Sequence, residues 1–441
     1  MRLIGILSLL AVLLAWRGVA QAAPVALVSG YNLTAVSPGP SAADFPFYEG
    51  ISQLAFNPGD NAHVYAARSQ FVGSAFTGEV TRYDYAAASG QLSNPLDVAT
   101  GLPGTQGLAF GAGDALYVST NHNVFTANGT GGLERLTPTG GGLYGNGVEF
   151  VNNVPINQHF VDQLQIHGNS LYVGIGTQTN TGDPAVETVY NGTITRIADL
   201  TQVNYSSAGA ANLPLAAVAG DHSPGHLDLY ATGFRNPFGL RVDAAGNVSA
   251  TDNGQDADTP ATPVTPDYLY KNIPLGAKGI FPPGNGGTFR PFANLGLDTS
   301  ADGFATIPSG PAAGKTLVAL FSAASAGSPA GQQLVAVDLA NGSSITPFVA
   351  DTANPLAFNP LDVTQDPFGR ILVADYGPST FSRPFFNPAD VGVYLLTAVP
   401  EPSSTWLMAT ALGALGMRAA ARRRAARPGV IGDASNRGRS R

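Results

Sequence analysis

Five segments of the sequence repeat one pattern: an apolar strand, a turn containing glycine, aspartate or asparagine, and a second apolar strand. They occupy residues 51–68, 106–120, 161–176, 236–254 and 359–377. In each segment, apolar and polar residues alternate on both sides of a position suited to a positive φ, which is typical of a β-hairpin. Because each copy must bury its apolar face against its neighbours, the repeat constrains the fold strongly.

The spacing of the copies indicates how many there are. Equivalent apolar positions are Leu54, Leu108, Leu164, Leu240 and Val363, which are 54, 56, 76 and 123 residues apart. The last interval is about twice the others, so we expect one degraded copy inside it, at residues 314–322. Six units of four short strands predict an all-β, six-bladed propeller over residues 24–398. The ring is expected to close by pairing residues 25–28 with 391–396, and a β-sandwich is the alternative.

Composition agrees with short strands and many turns, because the chain contains 54 glycines and 33 prolines, and charged residues are only 12% of it. Cysteine is absent, which excludes zinc–thiolate sites, iron–sulfur clusters and cysteine nucleophiles. Without the arginine-rich ends, 12 basic and 28 acidic residues remain, a net charge of −16. A surface of this charge repels nucleic acid, so we expect no nucleic-acid partner.

The two ends of the sequence carry export signals. Residues 1–23 begin with Arg2, continue with an apolar stretch at 3–16 and end in a small-x-small pattern at 20–22, which predicts a signal-peptide helix. The alternative is a buried N-terminal helix.

Residues 399–441 resemble the PEP-CTERM sorting signal of Gram-negative bacteria. A Pro-Glu-Pro motif at 400–402 is followed by an apolar helix at 403–417 and by arginines at 422–424. The resemblance implies transient anchoring in the inner membrane, cleavage by an exosortase, and release to the cell surface or extracellular matrix. The uncharged run at 402–417 is 16 residues long, shorter than the roughly 20 of an ordinary span. The alternative is a disordered basic tail.

Two stretches of the third and fourth units resemble the glucose/sorbosone dehydrogenase family. The first is QHFVDQLQI at 158–166 with LYVGIGTQ at 171–178, and the second is GFRNPFGL at 233–240 followed by DNG at 252–254. The resemblance implies a six-bladed quinoprotein that oxidises a carbohydrate hydroxyl with pyrroloquinoline quinone and Ca²⁺.

Residue by residue, the resemblance implies roles for several side chains. His159 would be the general base, since imidazole has a pKa near neutrality. Arg235 would stabilise negative charge on the quinone oxygens. The implied cofactor ligands are Arg235, Asn236, Gln163 and Arg383. The implied calcium ligands are Asn253, Gly254, Asp256 and Asp258. We expect His159, Arg235 and Asn236 to converge on one face near the propeller axis.

The sequence departs from the family's pattern at places that matter for the cofactor. A stretch containing glycine and histidine is expected in the fifth unit, where residues 321–327 read FSAASAG instead. The chain has only three lysines, although the quinone carries three carboxylates. The alternative function is therefore a non-catalytic propeller of the extracellular matrix that binds carbohydrate without the cofactor.

Overall fold

The structure, a computed structural model, describes residues 24–37, 50–72, 75–205, 225–256, 263–321, 331–338, 340, 342, 344–351, 358–376 and 392–399. The predicted signal peptide and the predicted membrane helix lie outside these residues, as do Asp258 and Arg383. The described residues contain no helix long and apolar enough to cross a membrane. Their regular structure is β-strand, with two short 3-10 turns at Ala112–Asp114 and Leu200–Gln202.

Six separate sheets follow one another along the chain. The first two strands, which belong to the last two sheets, are β1 (Val25–Ala26) and β2 (Tyr31–Ala35). Blade one consists of β3 (Gly50–Asn57), β4 (Asp60–Val72), β5 (Ala75–Tyr85) and β6 (Leu92–Pro103). Blade two consists of β7 (Leu108–Phe110), β8 (Leu116–His122), β9 (Thr130–Gly140) and β10 (Leu143–Pro155).

The third and fourth blades contain the stretches that resemble a known family. Blade three consists of β11 (Val161–His167), β12 (Ser170–Ile175), β13 (Thr193–Ile197) and β14 (Leu227–Thr232). Blade four consists of β15 (Leu240–Val242), β16 (Val248–Asp252), β17 (Pro266–Ile273) and β19 (Ala293–Leu297). The short strand β18 (Ala277–Lys278) lies between β17 and β19 in sequence, but pairs in parallel with β14 of blade three.

The last two blades include the N-terminal strands. Blade five consists of β20 (Ala301–Thr306), β21 (Thr316–Leu320), β22 (Gln333–Val337) and β23 (Ile345–Ala350), extended by β1. Blade six consists of β24 (Pro360–Gln365), β25 (Ile371–Asp375) and β26 (Gly392–Ala398), completed by β2.

The first strand of each blade contacts the first strand of the next, and β24 contacts β3, so the six blades form a closed ring. This confirms the predicted six-bladed propeller. The five repeated segments are the two innermost strands of blades one, two, three, four and six. The degraded copy expected at 314–322 contains β21, the second strand of blade five, and its partner β20 precedes it.

The predicted closure of the ring, by pairing residues 25–28 with 391–396, was wrong, because the next strand along the chain, β2, makes this pairing. β2 pairs antiparallel with β26, from Tyr31 opposite Ala398 to Ala35 opposite Tyr394, whereas β1 pairs with β23. The apolar run at 25–28 contributes only two residues to a ladder before the chain turns at Gly30, where φ is 87°. Tyr31 then fixes β2, because its ring packs edge-on against Phe348.

The hydrophobic core is divided among the interfaces between blades. Six clusters of buried side chains lie one at each interface between neighbouring blades, including that between the sixth and the first. Burying one such Val, Leu, Ile or Phe side chain contributes roughly 1.5–3 kcal/mol, so the ring is held together around its whole circumference.

A polar plug made of Gln53, Gln163, Arg241 and Asp362 crosses the axis of the ring. Gln53 of blade one accepts hydrogen bonds from the backbone N–H groups of Leu108 and Leu164, at 2.9 and 3.2 Å. Asp362 accepts from Arg241 at 2.5 Å and from Gln163 at 3.1 Å. On one side of the plug lies a cavity of about 680 Å³, lined by residues of all six blades.

Candidate functional site

The predicted site lies at the opposite end of the axis from that cavity. His159 precedes β11, and the segment 233–239 precedes β15, whereas the cavity is lined by the ends of these strands, including Ile166 and Val242. Because the first strands of neighbouring blades run in the same direction, the segments that precede them meet at one face.

Two residues at the end of β12 connect His159 with the Arg235–Asn236 pair. The N–H of Thr177 donates to the carbonyl of Arg235 at 2.7 Å, and the carbonyl of Thr177 accepts from Nδ1 of His159 at 2.7 Å. A Cβ added to Gly176 would lie 2.2 Å from Cβ of His159 and 2.5 Å from Oδ1 of Asn236. The structure therefore brings His159, Arg235 and Asn236 together around Gly176, where the packing is too close for any residue with a side chain.

His159 is neutral, and its tautomer is fixed. Burial, together with the nearby charge of Arg235, lowers the pKa of His159 to about 3. Because a carbonyl can only accept, the contact with Thr177 requires the proton on Nδ1. The lone pair is therefore on Nε2, the nitrogen that a general base would use.

Arg235 is 3% exposed, and its guanidinium is fully engaged. Nε and Nη2 donate to the side-chain oxygen of Asn180, at 3.0 and 2.7 Å, and Nη1 donates to the carbonyl of Asn253. Nη2 also pairs with the carboxylate of Asp256 at 2.5 Å. The Asp256 side chain is 44% exposed, so a buried cation is covered here by a carboxylate near the surface.

Asp252 holds the turn that presents Arg235. Its Oδ1 accepts from the backbone N–H groups of Arg235 and Asn236, at 2.9 and 2.8 Å. Burial raises the pKa of Asp252 to about 7, although both hydrogen bonds and the charge of Arg235 oppose the shift. The charge of Arg235 also lowers the pKa values of Asp267 and Asp298, which burial raises. With Asp256, four carboxylates thus surround this arginine.

Several buried oxygen atoms near the axis accept no hydrogen bond from any described residue. They are both carboxylate oxygens of Asp162, Oδ2 of Asp302, and the side-chain oxygens of Asn236 and Asn253. Buried polar groups in native proteins are nearly always paired, so such atoms mark a place where water, an ion or a ligand belongs.

The remaining predicted ligands are engaged elsewhere or lie outside the described residues. Gln163 belongs to the polar plug, where Nε2 donates to the carbonyl of Ser52 and to Asp362. The N–H of Gly254 donates to Asp267 at 2.5 Å. Asp258 and Arg383 lie outside the described residues. In the part of the chain that the structure describes, no three histidine or carboxylate side chains are grouped to hold a metal ion.

Some residues of the site were not identified from the sequence. Asn180 lies two positions after the stretch at 171–178, and Asp252 begins the DNG stretch at 252–254. Both hold Arg235, and no sequence pattern indicates that role. Asp162 and Asp302 both stand two positions before the aligned apolar residue of their strand, at Leu164 and Phe304. An alignment of blade five on Phe304 would have revealed this repeated aspartate.

Comparison with solved structures finds the same fold in sugar dehydrogenases. The holo form of the pyranose dehydrogenase PQQ domain from Coprinopsis cinerea aligns with a TM-score of 0.60 and 13% identity, over 86% of this chain and 97% of that one. The PQQ-bound aldose sugar dehydrogenase from Streptomyces coelicolor aligns with a TM-score of 0.57 and 18% identity, over 86% and 98%. The soluble aldose sugar dehydrogenase from Escherichia coli, in its apo form, gives 0.54 and 14%, over 83% and 99%.

No protein-family model matches the sequence, and no curated protein does either. At these identities the solved structures establish the shared six-bladed fold, on which a function must be argued from the site itself.

Proposed function

We propose that the protein is an exported sugar dehydrogenase that oxidises a carbohydrate hydroxyl with pyrroloquinoline quinone, at the propeller face that holds His159. One observation carries the proposal: a buried, neutral histidine with its lone pair on Nε2 lies beside a buried arginine. The fold shared with PQQ-bound sugar dehydrogenases supports it.

In this proposal His159 accepts the proton of the substrate hydroxyl on Nε2. The hydrogen bond from Nδ1 to Thr177 fixes the ring's orientation and tautomer, so the base needs no reorganisation before it acts. Negative charge developing on the hydroxyl oxygen would raise the pKa of His159 and strengthen it as a base. When bound, the quinone supplies the acceptor for the hydride.

The residues fit the quinone on two conditions. The orphaned oxygen of Asn236, which meets His159 at Gly176, can accept a hydrogen bond from a polar group, and Arg235 supplies a buried positive charge. An anionic cofactor must first displace Asp256 from Arg235, which is feasible because the Asp256 side chain is 44% exposed. The other carboxylates around Arg235 then require neutralisation by protons or a cation.

The predicted calcium loop fits less well. Asp256 is paired with Arg235, and Asp258 lies outside the described residues, so the loop offers only the side-chain oxygen of Asn253 and the backbone carbonyl of Gly254 among the described residues. No step of the proposed reaction is therefore assigned to calcium in that loop.

The test is to add pyrroloquinoline quinone and CaCl₂ to the purified full-length protein and to record the absorption band of bound quinone. Dye reduction is then measured with a series of aldoses. We expect a saturable band and sugar-dependent turnover, with His159→Gln retaining the band and losing turnover. Absence of a band at millimolar quinone would contradict the proposal.

A carbohydrate-binding propeller without cofactor is the second candidate, and the excess of carboxylates around Arg235 favours it. It predicts that sugars bind to the protein, as measured by calorimetry, with neither a quinone band nor turnover.

The proposal extends to location. The signal-peptide pattern at 1–23 and the PEP-CTERM-like pattern at 399–441 support export, anchoring in the inner membrane, and exosortase processing before release to the surface or matrix. In a Gram-negative host, deletion of residues 400–441 is expected to leave a soluble periplasmic protein. Recovery of the full-length protein as soluble periplasmic material with its C-terminus intact would contradict the sorting signal.

A further inference from the structure

The carboxylate of Asp162 is the most anomalous group on the propeller axis. Its side chain is fully buried, and neither of its oxygens accepts a hydrogen bond from the described residues. An isolated buried charge costs several kcal/mol, so a carboxylate in this position needs a proton or a counter-charge.

Asp302 faces the same region from blade five. Its carboxyl is hydrogen-bonded by the side chain of Asn253, and the charge of Asp162 raises its pKa, in addition to the effect of burial. Its Oδ2 accepts nothing from the described part of the chain. The negative charge of Asp162 therefore acts on a buried carboxyl of a different blade.

The plug shows that these two aspartates lie close to the axis. Nε2 of Gln163, the residue after Asp162, lies 3.1 Å from Oδ1 of Asp362. A Cβ added to Gly303, the residue after Asp302, would lie 2.2 Å from the same oxygen. The neighbours of both aspartates thus meet at one carboxylate oxygen of the plug.

β-Bulges place these side chains there. The register shifts between Val161 and Leu164 in blade three, and between Ala301 and Phe304 in blade five. In each bulge, two residues of the first strand lie opposite one residue of the second strand. The aspartate and the residue after it, which is Gln163 in blade three and Gly303 in blade five, can therefore both approach the axis.

Asp362 is a buried carboxylate whose charge is neutralised by a side chain of the protein. Arg241 pairs with it, and Gln163 and the backbone N–H of Leu54 donate to it, the last at 2.8 Å. Within the described residues no cation plays this part for Asp162 or Asp302. When ionised, these two leave a charge of −2 beside the plug.

We infer that a divalent cation of the calcium class binds on the axis between Asp162 and Asp302, with the side-chain oxygen of Asn253 as a third protein ligand. Carboxylate and amide oxygens are the ligands that Ca²⁺ prefers, and water fills its remaining positions. A charge of +2 balances the two carboxylates. The site shares Asn253 with the predicted calcium loop but differs from it, because its carboxylates are Asp162 and Asp302 and Asp256 takes no part in it. It does not depend on the proposed dehydrogenase activity.

The test uses the purified full-length protein after removal of metal with EDTA, in the absence of quinone. CaCl₂ is added, and binding is followed by calorimetry and by the melting temperature. We expect one bound Ca²⁺ and a rise in Tm of about 5 °C at a hundredfold excess over Kd. In Asp162→Asn and Asp302→Asn, the affinity should fall at least about tenfold, and the rise in Tm at the same CaCl₂ concentration should fall to about half or less.

The matched control is Asp256→Asn, which removes a carboxylate of the predicted loop and should leave both Ca²⁺ effects intact. Folding of the axial variants is checked by the Tm of the metal-free protein, which should not fall, because each substitution removes a buried charge without changing side-chain size. The inference is overturned if CaCl₂ leaves the wild-type Tm unchanged, if the axial variants keep the affinity, or if Asp256→Asn alone loses it.

Discussion

Blades four and six contain the same structural corner in two different settings. In both, an Asn-Pro pair stands at or just before the start of the first strand, and an aspartate ends the second. Asp252 accepts from the N–H of Asn236 at 2.8 Å, and Asp375 accepts from the N–H of Asn359 at 2.9 Å. The backbone N–H after each aspartate donates to the carbonyl of the asparagine, at 3.1 and 3.0 Å.

The residue before the asparagine differs between the two corners. In blade six it is Phe358, which is fully buried in the cluster between blades five and six. In blade four it is Arg235, held beside His159 by Thr177 and covered by Asp256. The Asn-Pro and aspartate pattern is therefore part of the scaffold, and Arg235 with His159 is what makes one copy a candidate site.

The largest expected effect is on turnover in His159→Gln, which tests whether the blade-four corner and His159 form the active site. His159→Gln keeps a hydrogen-bonding side chain of similar size but removes the base, so turnover should fall about 10²–10⁴-fold while Tm stays within a degree or two. Dye-coupled turnover and thermal unfolding measure the two quantities. His63→Gln, a change in blade one, is the control and should leave turnover unchanged. Equal turnover in His159→Gln and wild type would remove the difference between the corners.

Substitution of the residue before each asparagine should show which of the two corners contributes to quinone binding. Phe358→Ala empties a buried site and should lower the free energy of unfolding by about 3–5 kcal/mol, with little effect on quinone affinity. Arg235→Met should reduce quinone affinity or turnover about 10²–10³-fold. It should also lower the free energy of unfolding, because the buried carboxyls of Asp252 and Asp267 lose their counter-charge. Urea unfolding and quinone titration give the two values. If Phe358→Ala weakened quinone binding as much as Arg235→Met, the two corners would not differ in role.

The number of blades and the approach of His159 to Arg235 and Asn236 were predictable from the sequence, because both depend on local patterns. The spacing of the apolar positions counts the blades, and the stretches at 158–166 and 233–240 carry His159 and Arg235. The role of Gln163 was not predictable in this way, since its partners Ser52 and Asp362 are 111 and 199 residues away in sequence. The sequence around a glutamine next to a catalytic motif does not show whether its side chain binds a cofactor or belongs to the polar plug.

The same limit applies to Asp256 and to the closing strand. Asp256 was predicted as a calcium ligand from its place after Asn253, but its pairing with Arg235 depends on Asn180, whose oxygen accepts from the N–H of Asp256 at 2.9 Å. The choice between β1 and β2 as the closing strand depended on the packing of Tyr31, which an apolar pattern does not encode.

Stability should depend on pH through Asp252 in the blade-four corner. Its pKa in the folded protein is raised to about 7, above its ordinary value of 3.8, so between pH 4 and 7 the unfolded chain ionises while the folded one keeps its proton. The free energy of unfolding should therefore fall as pH rises through this range, by at most about 4 kcal/mol from this group. Asp252→Asn should flatten that part of the profile measured by urea unfolding, whereas a profile identical to that of the wild type would place the titration elsewhere.

The smallest expected effect concerns the carboxylate that covers Arg235. Asp256 lies about half in solvent, and an exposed ion pair contributes only about 0–1 kcal/mol, so its removal should cost little stability. Because an anionic quinone must take the place of this carboxylate, Asp256→Asn should tighten quinone binding about two- to fivefold, which is the same energy expressed as affinity. The measurement is a titration of the quinone absorption band in wild type and variant at low ionic strength, where screening is least.

Asp84→Asn, a change to an exposed acid in blade one, controls for the general loss of one negative charge. If Asp256→Asn weakened quinone binding, Asp256 would itself be a ligand of the cofactor or of its cation, and Arg235 would be a structural cation in blade four, as Phe358 is a structural side chain in blade six.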